Sequence, residues 1–476
     1  MLLAVALGLL PVSAQEATTE PQLVEYTLRT HLGGDPVMAF VGVGGAIDGQ
    51  VNPVLEANVG DTVRVTLVNG DGVLHSFVAD TFGANSGQFA EMEGSVVVEF
   101  VVDQPGEFDY FCDVPGHRES GMAGKLRIAG DVTVGHESEM AASRGDTAAQ
   151  GYVPTTVPSG PADPNAVAVV RNPAEVPPPV GDREPMNLRV DMTTLEVTGI
   201  LADGTTFPYF TFDGKVPGPF LRVRLGDTIE FHLSNDQSSM FPHSIDLHAV
   251  TGPGGGAVYT QTAPGQTTSF TFQAINPGLY VYHCATASIP HHISSGMYGL
   301  ILVEPEGGLP PVDREFYVMQ GDIYTQQPFG QAGATTFDFT AMSNEDPTYF
   351  VFNGSAGALT QPEYALRANV GETVRIYFGD GGPNAVSSFH VIGEIFDRVY
   401  AEGSLTAEPL TNVQTTLVPT GGAVMVEFKV DVPGSYILVD HSLSRLERGL
   451  AGYLIVEGEA QPDIFRSDTM AEQSGH

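Results

Sequence analysis

The sequence predicts an all-β fold made of three Greek-key β-sandwich domains. Short runs of β-branched residues alternate with turn residues, and the 476-residue chain contains 56 glycines and 34 prolines. Such a pattern is typical of sandwiches of about 100 to 150 residues each. Long stretches of helical periodicity are scarce, and the chain is too long for one hydrophobic core.

One unit is repeated three times along the chain, and this repeat predicts the domain boundaries. A turn leading into an alternating strand occurs at residues 59–65, 225–231 and 370–376, and a Pro-Gly-x-aromatic corner follows at 105–108, 277–280 and 433–436. Each copy then reaches a Gly-x-x-Gly segment at 121–124, 296–299 or 449–452. We therefore expect domains at residues 15–130, 185–305 and 306–460.

The remaining segments predict a signal, a linker and a tail. Residues 1–14 form an apolar run that ends in small residues, which predicts a secretory signal peptide and a periplasmic or otherwise exported protein. The alternative of a membrane anchor is disfavoured by the shortness of the run, and no other segment is expected to span a membrane. Residues 131–184 are rich in proline and predict an extended linker, although packing of its second half on a domain surface fits equally well. Residues 461–476 are expected to form a tail.

Composition limits the classes of partner. The formal net charge is −37, with 20 basic against 57 acidic residues, which argues against nucleic acid or an anionic membrane as partner and favours a basic redox protein. Solubility, or adaptation to salt, is the other explanation of this charge. The two cysteines, Cys112 and Cys284, form no disulfide framework, and each lies among residues that can bind a metal.

The second unit contains the ligand set of an electron-transferring blue-copper centre. Cys284, His292 and Met297 offer a thiolate, an imidazole and a weak axial thioether, and His243 upstream offers a second imidazole. The first unit contains an equivalent set, His75, Cys112, His117 and Met122.

The spacing between the ligands selects one of two neighbouring histidines. His117 and Met122 are five residues apart, as are His292 and Met297. This spacing selects His292 over His291 as the ligand, and His291 is then expected to be a surface or interface residue.

A second metal is predicted from the alternation of side chains along a strand. His283 precedes Cys284, so the two side chains point to opposite faces of the strand and cannot bind the same ion. Asp246 and His248 share one strand face, and His243 lies on the other. The third unit has Asp440 and Leu450 where the others have Cys and Met, but it retains His390 and His441, which we expect to serve the second metal.

These residues carry a family resemblance. The segments Pro242–His248, Tyr282–Cys284, His292–Met297, His390–Gly393 and Asp440–His441 resemble the copper-containing nitrite reductases over about Pro185 to Gly458. The first unit and linker resemble the variant of that family with an extra N-terminal cupredoxin domain. The resemblance implies three cupredoxin-like domains, two of them forming the reductase core.

The resemblance also implies roles for individual residues. It places His243, Cys284, His292 and Met297 on type 1 copper, and His248, His283 and His441 on type 2 copper, with His441 supplied by a neighbouring subunit of a homotrimer or a multiple of one. Asp246 and His390 would be the catalytic pair. With the N-terminal set included, each chain would bind two type 1 coppers and one type 2 copper.

The activity implied is the one-electron reduction of nitrite to nitric oxide in denitrification. Electrons would come from a small cytochrome c or cupredoxin, and the N-terminal domain would act as a relay. A multicopper oxidase is the nearest alternative enzyme, but Cys284 is followed by Ala285 and no His-x-His motif occurs. A non-enzymatic copper electron-transfer protein fits the first unit and leaves Asp246, His248, His283, His390 and His441 unexplained.

Overall fold

The structure is a computed structural model that describes residues 21–130 and 159–467, except 33–35, 37, 72–74, 90, 115–116 and 119–120. The predicted signal peptide, residues 131–158 of the predicted linker and residues 468–476 of the predicted tail lie outside the described part. The described residues divide into two compact units. The first unit ends at Gly130 and contains the first repeat, and the second unit begins at Ser159 and contains both the second and the third repeat.

The first unit is a β-sandwich of two sheets, with strand orders β2-β1-β4-β7 and β3-β9-β8-β5-β6. Alternate residues of β4 (Val63, Val65 and Leu67) are fully buried, because a strand with one buried face alternates apolar and polar side chains. The strands are β1 (Leu23–Leu32), β2 (Met38–Gly42), β3 (Leu55–Asn58), β4 (Thr62–Val68), β5 (Val78–Ala79), β6 (Ala84–Asn85), β7 (Ser95–Val101), β8 (Gly106–Phe111) and β9 (Ala123–Ala129).

The second unit begins with another sandwich, whose sheets have the orders β15-β13-β10-β11-β19 and β12-β17-β16-β14. Its strands are β10 (Asn187–Ala202), β11 (Thr205–Phe212), β12 (Leu221–Arg224), β13 (Thr228–Asn235), β14 (Asp246–Leu247), β15 (Thr267–Gln273), β16 (Gly278–His283) and β17 (Tyr298–Glu304), and the short helix α1 (Ile289–Ser294) lies between β16 and β17.

A further sandwich completes the second unit, with sheet orders β20-β18-β22-β27-β24-β25 and β21-β29-β28-β23-β26. Its strands are β18 (Arg314–Ile323), β20 (Tyr349–Phe352), β21 (Leu366–Asn369), β22 (Thr373–Gly382), β23 (Ser387–Ile392), β24 (Phe396–Tyr400), β25 (Leu410–Val413), β26 (Thr415–Val418), β27 (Ala423–Lys429), β28 (Gly434–Asp440) and β29 (Gly452–Glu457). The strand β19 (Gly333–Ala334), which joins the preceding sandwich, and the helix α2 (Phe339–Ser343) come from the same stretch of chain.

One hydrophobic core joins the two sandwiches of the second unit. Val281 and Leu300 from β16 and β17 pack in the same cluster as Met319, Tyr349 and Met425 from β18, β20 and β27. The strand β16, which ends directly before Cys284, is therefore supported by both sandwiches.

The described part of the predicted linker packs on the second unit. The backbone N–H of Val167 donates to the carbonyl of Thr198 at 3.0 Å, and the N–H of Tyr317 donates to the carbonyl of Pro173 at 2.8 Å. The Arg222 guanidinium also donates to the carbonyl of Pro177 at 2.7 Å. These contacts hold residues of the segment 159–184 against the second unit.

The predicted all-β class is confirmed, since the architecture consists of paired sheets with only short helices. Within the described residues no helix is both long and apolar enough to cross a membrane.

Candidate metal centres

The end of β16 carries one buried group of metal ligands. His243 Nδ1 and His292 Nδ1 are 3.2 Å apart, and Cys284 Sγ is 3.4 Å from His292 Nδ1. Met297 is fully buried, and its backbone closes a loop by accepting from Cys284 N–H at 3.1 Å and donating to the His292 carbonyl at 3.2 Å. Burial alone would raise the pKa of the Cys284 thiol, but His292 and His243 lower it well below its usual range.

The first unit repeats this arrangement. His117 Nδ1 lies 3.2 Å from His75 Nδ1 and 3.5 Å from Cys112 Sγ. The backbone loop is closed in the same way, by Cys112 N–H to the Met122 carbonyl at 3.1 Å and Met122 N–H to the His117 carbonyl at 2.9 Å. All four side chains are buried.

Both groups fit copper. The three donor atoms lie within 4.8 Å of one another in each, and an ion centred among donors about 3.4 Å apart sits roughly 2 Å from each, the length of metal–imidazole bonds. Two imidazoles, a thiolate and a nearby methionine form the donor set of blue-copper sites.

In each group, one histidine also contacts a carboxylate. The sequence analysis identified neither of these carboxylates. His75 Nε2 is 2.9 Å from Asp71 Oδ1, and His243 Nε2 is 3.2 Å from Glu196 Oε1. Burial lowers the pKa of His75, but Asp71 and Cys112 together raise it to about 9. The four-residue spacing between Asp71 and His75 is a local pattern from which this contact could be predicted. Glu196 lies in β10, 47 residues before His243. No local pattern in the sequence therefore predicts that the two residues are in contact.

A second group lies on the opposite face of β16. His248 Nε2 and His283 Nε2 are 3.1 Å apart, and Asp246, paired with His283 across the antiparallel strands, places a carboxylate oxygen within 4.8 Å of their ligand nitrogens. His283 Nδ1 faces the Cys284 carbonyl at 3.0 Å, so Nε2 is the nitrogen left for a metal. Burial and then the neighbouring His283 lower the pKa of His248, which favours the neutral, metal-binding imidazole.

His390 and His441 lie together elsewhere on the third sandwich. Their ring centroids are 5.6 Å apart, and they line a cavity of 520 Å³ with Ser388, Gln414, Thr415 and Ser442. Among the described residues, the metal-ligand group that contains His248 and His283 includes neither of them. His248 and His441 are both exposed in the single chain.

Of the two positions expected for His291, at the surface or at an interface, the surface position is wrong. Its side chain is buried, with its ring 5.0 Å from Phe210, 4.3 Å from Phe337 and 4.8 Å from Phe339. Burial and then His292 lower its pKa well below its usual range. Residues 337 and 339 approach α1 from a later part of the chain, a contact that local sequence could not predict.

Comparison with known proteins identifies the family. Family profiles described as multicopper oxidase match residues 194–308 and 329–460. The copper-containing nitrite reductase of Neisseria meningitidis serogroup B is 54% identical over 312 residues, which cover 65% of this chain and 79% of that protein. That of Alcaligenes xylosoxydans xylosoxydans is 37% identical over 282 residues, covering 56% of this chain and 84% of that protein.

Solved structures agree with these relatives. The copper nitrite reductase from Nitrosomonas europaea is similar with a TM-score of 0.51 and 35% identity, covering 58% of this chain and 96% of that one. The copper-containing nitrite reductase from Thermus scotoductus has a TM-score of 0.51 and 27% identity, covering 58% of this chain and 63% of that one. The resemblance stated from the sequence is confirmed: the chain belongs to the copper-containing nitrite reductases, which are oxidoreductases.

Proposed function

We propose that the protein reduces nitrite to nitric oxide and water, consuming one electron and two protons per nitrite (NO₂⁻ + e⁻ + 2H⁺ → NO + H₂O). The observation that carries this proposal is the adjacency of His283 and Cys284 in two ligand groups on opposite faces of β16. Two metal sites joined by one peptide unit form a short covalent path for the electron.

The ligand chemistry supports two different roles. Bound copper would supply a one-electron donor at the Cys284 group and a Lewis acid with an exchangeable position at His248, His283 and His441. Nitrite, a small anion with oxygen donors, suits such an exchangeable position.

Asp246 and His390 are proposed to supply the protons. His390 Nδ1 lies 2.6 Å from the carbonyl oxygen of Gln414, so this nitrogen must be the N–H donor. The other ring nitrogen, Nε2, is then free to accept a proton from solvent and deliver it to the substrate. The Asp246 carboxylate beside His248 and His283 can hold a second proton within reach of the same position.

We further propose that the type 2 site is completed in a homotrimer or a multiple of one. His248 and His283 offer two imidazoles, His441 lies outside their ligand group, and both His248 and His441 are exposed in the single chain. His441 of a neighbouring subunit would supply the third imidazole, and His390 would come with it because the two rings lie together.

The N-terminal sandwich, residues 15–130, is proposed to be a relay between a small cytochrome c or cupredoxin and the reductase core formed by residues 185–305 and 306–460. Its complete ligand group supports this role, and the net charge of −37 favours a basic donor. We also propose that the protein is periplasmic or otherwise exported, on the basis of the predicted signal at residues 1–14.

Copper counting with spectroscopy tests the proposal. The protein should bind three coppers per chain, two with intense visible absorption and one without, and nitrite should perturb only the electron paramagnetic resonance signal of the last. A reduced sample should release nitric oxide in proportion to nitrite. Two coppers and no turnover would indicate an electron-transfer protein, and oxygen consumption with a phenolic donor would indicate a multicopper oxidase.

The relay is tested in the full chain with Cys112→Ser. Loss of the thiolate should abolish the N-terminal visible band, stop turnover driven by the protein donor and spare turnover driven by a small artificial reductant. Equal turnover with the protein donor before and after the change would contradict the relay.

A further inference from the structure

The third sandwich has lost its metal ligands but retains their spacing. Cys112, His117 and Met122 stand five residues apart in the first unit, and Asp440, Arg445 and Leu450 have the same two steps of five. The backbone keeps one hydrogen bond as well: Met122 N–H donates to the His117 carbonyl at 2.9 Å, and Leu450 N–H to the Arg445 carbonyl at 3.1 Å.

The hydrogen bonds around the first residue of each set also correspond. The N–H of Ser76 and that of Ser244 each point to a cysteine Sγ at 3.4 Å. In the third sandwich the N–H of Ser388 donates to Asp440 Oδ1 at 3.1 Å. Asp440 thus occupies the place of the thiolate, and it is equally buried, with 1% of its surface exposed.

Arg445 occupies the place of the copper ligand that follows. Its guanidinium forms an ion pair with Asp440 Oδ2, donates to the Val386 carbonyl at 2.6 Å and lies 4.7 Å above the ring of Phe350. Gln320 Nε2 donates to the same carboxylate oxygen at 3.2 Å. A buried carboxylate needs a countercharge, and the guanidinium provides here what a bound metal ion would provide in the other two sandwiches.

His441 directly follows Asp440, whereas His283 directly precedes Cys284. His441 N–H donates to the Ser388 carbonyl at 2.8 Å, and Ser442 N–H donates to Asp440 Oδ1 at 3.0 Å. The backbone on both sides of His441 is therefore fixed to the residues that hold the ion pair. A rigid attachment of this kind sets the position of a metal ligand.

We propose that the Asp440–Arg445 ion pair replaces the copper of the third sandwich and positions His441 for the type 2 site. Arg445 is a positioning residue in this proposal, which rests on the proposed function because His441 must bind a metal. The ion pair holds the end of β28, as the type 1 copper would hold the end of β16.

The test compares Arg445→Gln with Arg445→Lys and with Arg448→Gln in the full chain. Arg448 lies one turn further along, where its guanidinium donates to the Pro347 carbonyl at 2.6 Å on the surface, so it is a matched control for loss of a charge. The affinity for type 2 copper is measured by competition with a chelator and followed by electron paramagnetic resonance. The visible bands report type 1 loading, and gel filtration reports assembly.

Arg445→Gln should weaken type 2 copper binding by about tenfold or more, the usual effect of losing an outer support of a ligand, while both visible bands persist. Arg445→Lys should restore most of the affinity, since the charge returns. Equal type 2 affinity in Arg445→Gln and Arg448→Gln would overturn the proposal. A wild-type protein that bound no third copper would instead overturn the proposed function, so the two failures are distinguishable.

A second variant keeps the proposal testable if Arg445→Gln does not fold. It introduces the four residue types of a type 1 copper site into the third sandwich. Ser387, which precedes Ser388 as His75 precedes Ser76, is changed together with the three spaced residues: Ser387→His, Asp440→Cys, Arg445→His and Leu450→Met. If the ion pair occupies a metal position, this variant should gain a third visible band with added copper. A folded variant without that band would overturn the replacement of copper by the ion pair.

Discussion

Removing the negative charge of the carboxylate that contacts a type 1 histidine should raise the reduction potential of that copper centre. The rise should be larger for the centre of the N-terminal domain than for the centre of the core. The changes are Asp71→Asn and Glu196→Gln, which keep an acceptor oxygen for the imidazole N–H and remove the negative charge. A carboxylate acceptor makes the imidazole a stronger donor to the metal. Its loss therefore weakens binding of the oxidised ion more than that of the reduced ion.

The structure supplies the order of the two effects. Loss of an outer-shell partner costs about 10- to 100-fold in metal affinity, and a tenfold loss confined to the oxidised ion raises a one-electron potential by about 59 mV. The Asp71 contact is the shorter, at 2.9 Å against 3.2 Å. Glu196 Oε1 also accepts from the N–H groups of Met240 and Phe241, at 2.9 and 2.7 Å. We expect a rise of about 60 to 120 mV for Asp71→Asn and at most about 60 mV for Glu196→Gln.

Each centre is measured alone in the full chain. Asp71→Asn is made beside Cys284→Ser, and Glu196→Gln beside Cys112→Ser, so that one visible band is left for spectroelectrochemical titration. Rises below about 20 mV at both centres, equivalent to roughly a twofold change in affinity, would refute the reasoning. A larger rise at the core centre would refute the ranking.

Three further predictions follow from the site and its surroundings. His283→Ala should remove type 2 copper and nitrite turnover but leave both visible bands, because a site missing one of three ligands binds metal weakly; turnover retained at full type 1 loading would contradict this role. Asp246→Asn should lower turnover by roughly 10² to 10⁴ with copper content and spectra nearly unchanged, as a stopped assay on metal-quantified protein would show. The pKa of Glu394 is raised from 4.5 to about 7, by burial and then by Asp431 and Asp397. The folded state therefore favours the protonated carboxyl group. The stability that this group contributes is present below pH 4.5 and is lost as the pH rises through 7. Glu394→Gln should therefore unfold at the same temperature as the wild type near pH 4.5 and be more stable above pH 7, by about 1 to 2 kcal/mol after allowance for partial exposure; equal melting temperatures at pH 8 would contradict this.

Much of the fold and of the ligand geometry is predictable from the sequence, because both follow from local periodicity. The alternation of strand side chains separates His283 from Cys284, and the structure places their ligand atoms in different groups. The five-residue step from histidine to methionine selects His292, whose Nδ1 faces His243 and Cys284. These features need only a few consecutive residues in a known conformation.

Features that depend on packing between distant segments are not predictable in this way. His291 follows a proline in a short helix and looks exposed in the sequence, yet Phe337 and Phe339 cover it. Glu196 of β10 contacts His243 from 47 residues away in the sequence, and alternation along β10 predicts only the face of the strand on which Glu196 lies. Arg445 is a different case, because its five-residue steps to Asp440 and Leu450 are visible in the sequence. A search restricted to metal-binding residue types passes over it.

Burial separates the two kinds of centre and is consistent with the different dependence on assembly that we propose for them. His243, Cys284, His292 and Met297 are all buried inside one chain, so their positions are set by the same packing that stabilises the sandwich. His248 and His441 are exposed on that chain, and among the described residues they do not belong to one ligand group. A metal site split in this way gains affinity only when two surfaces meet, so metal binding and subunit association stabilise each other by linkage. The peptide unit between His283 and Cys284 joins a site that folding completes to a site that, as we propose, assembly completes.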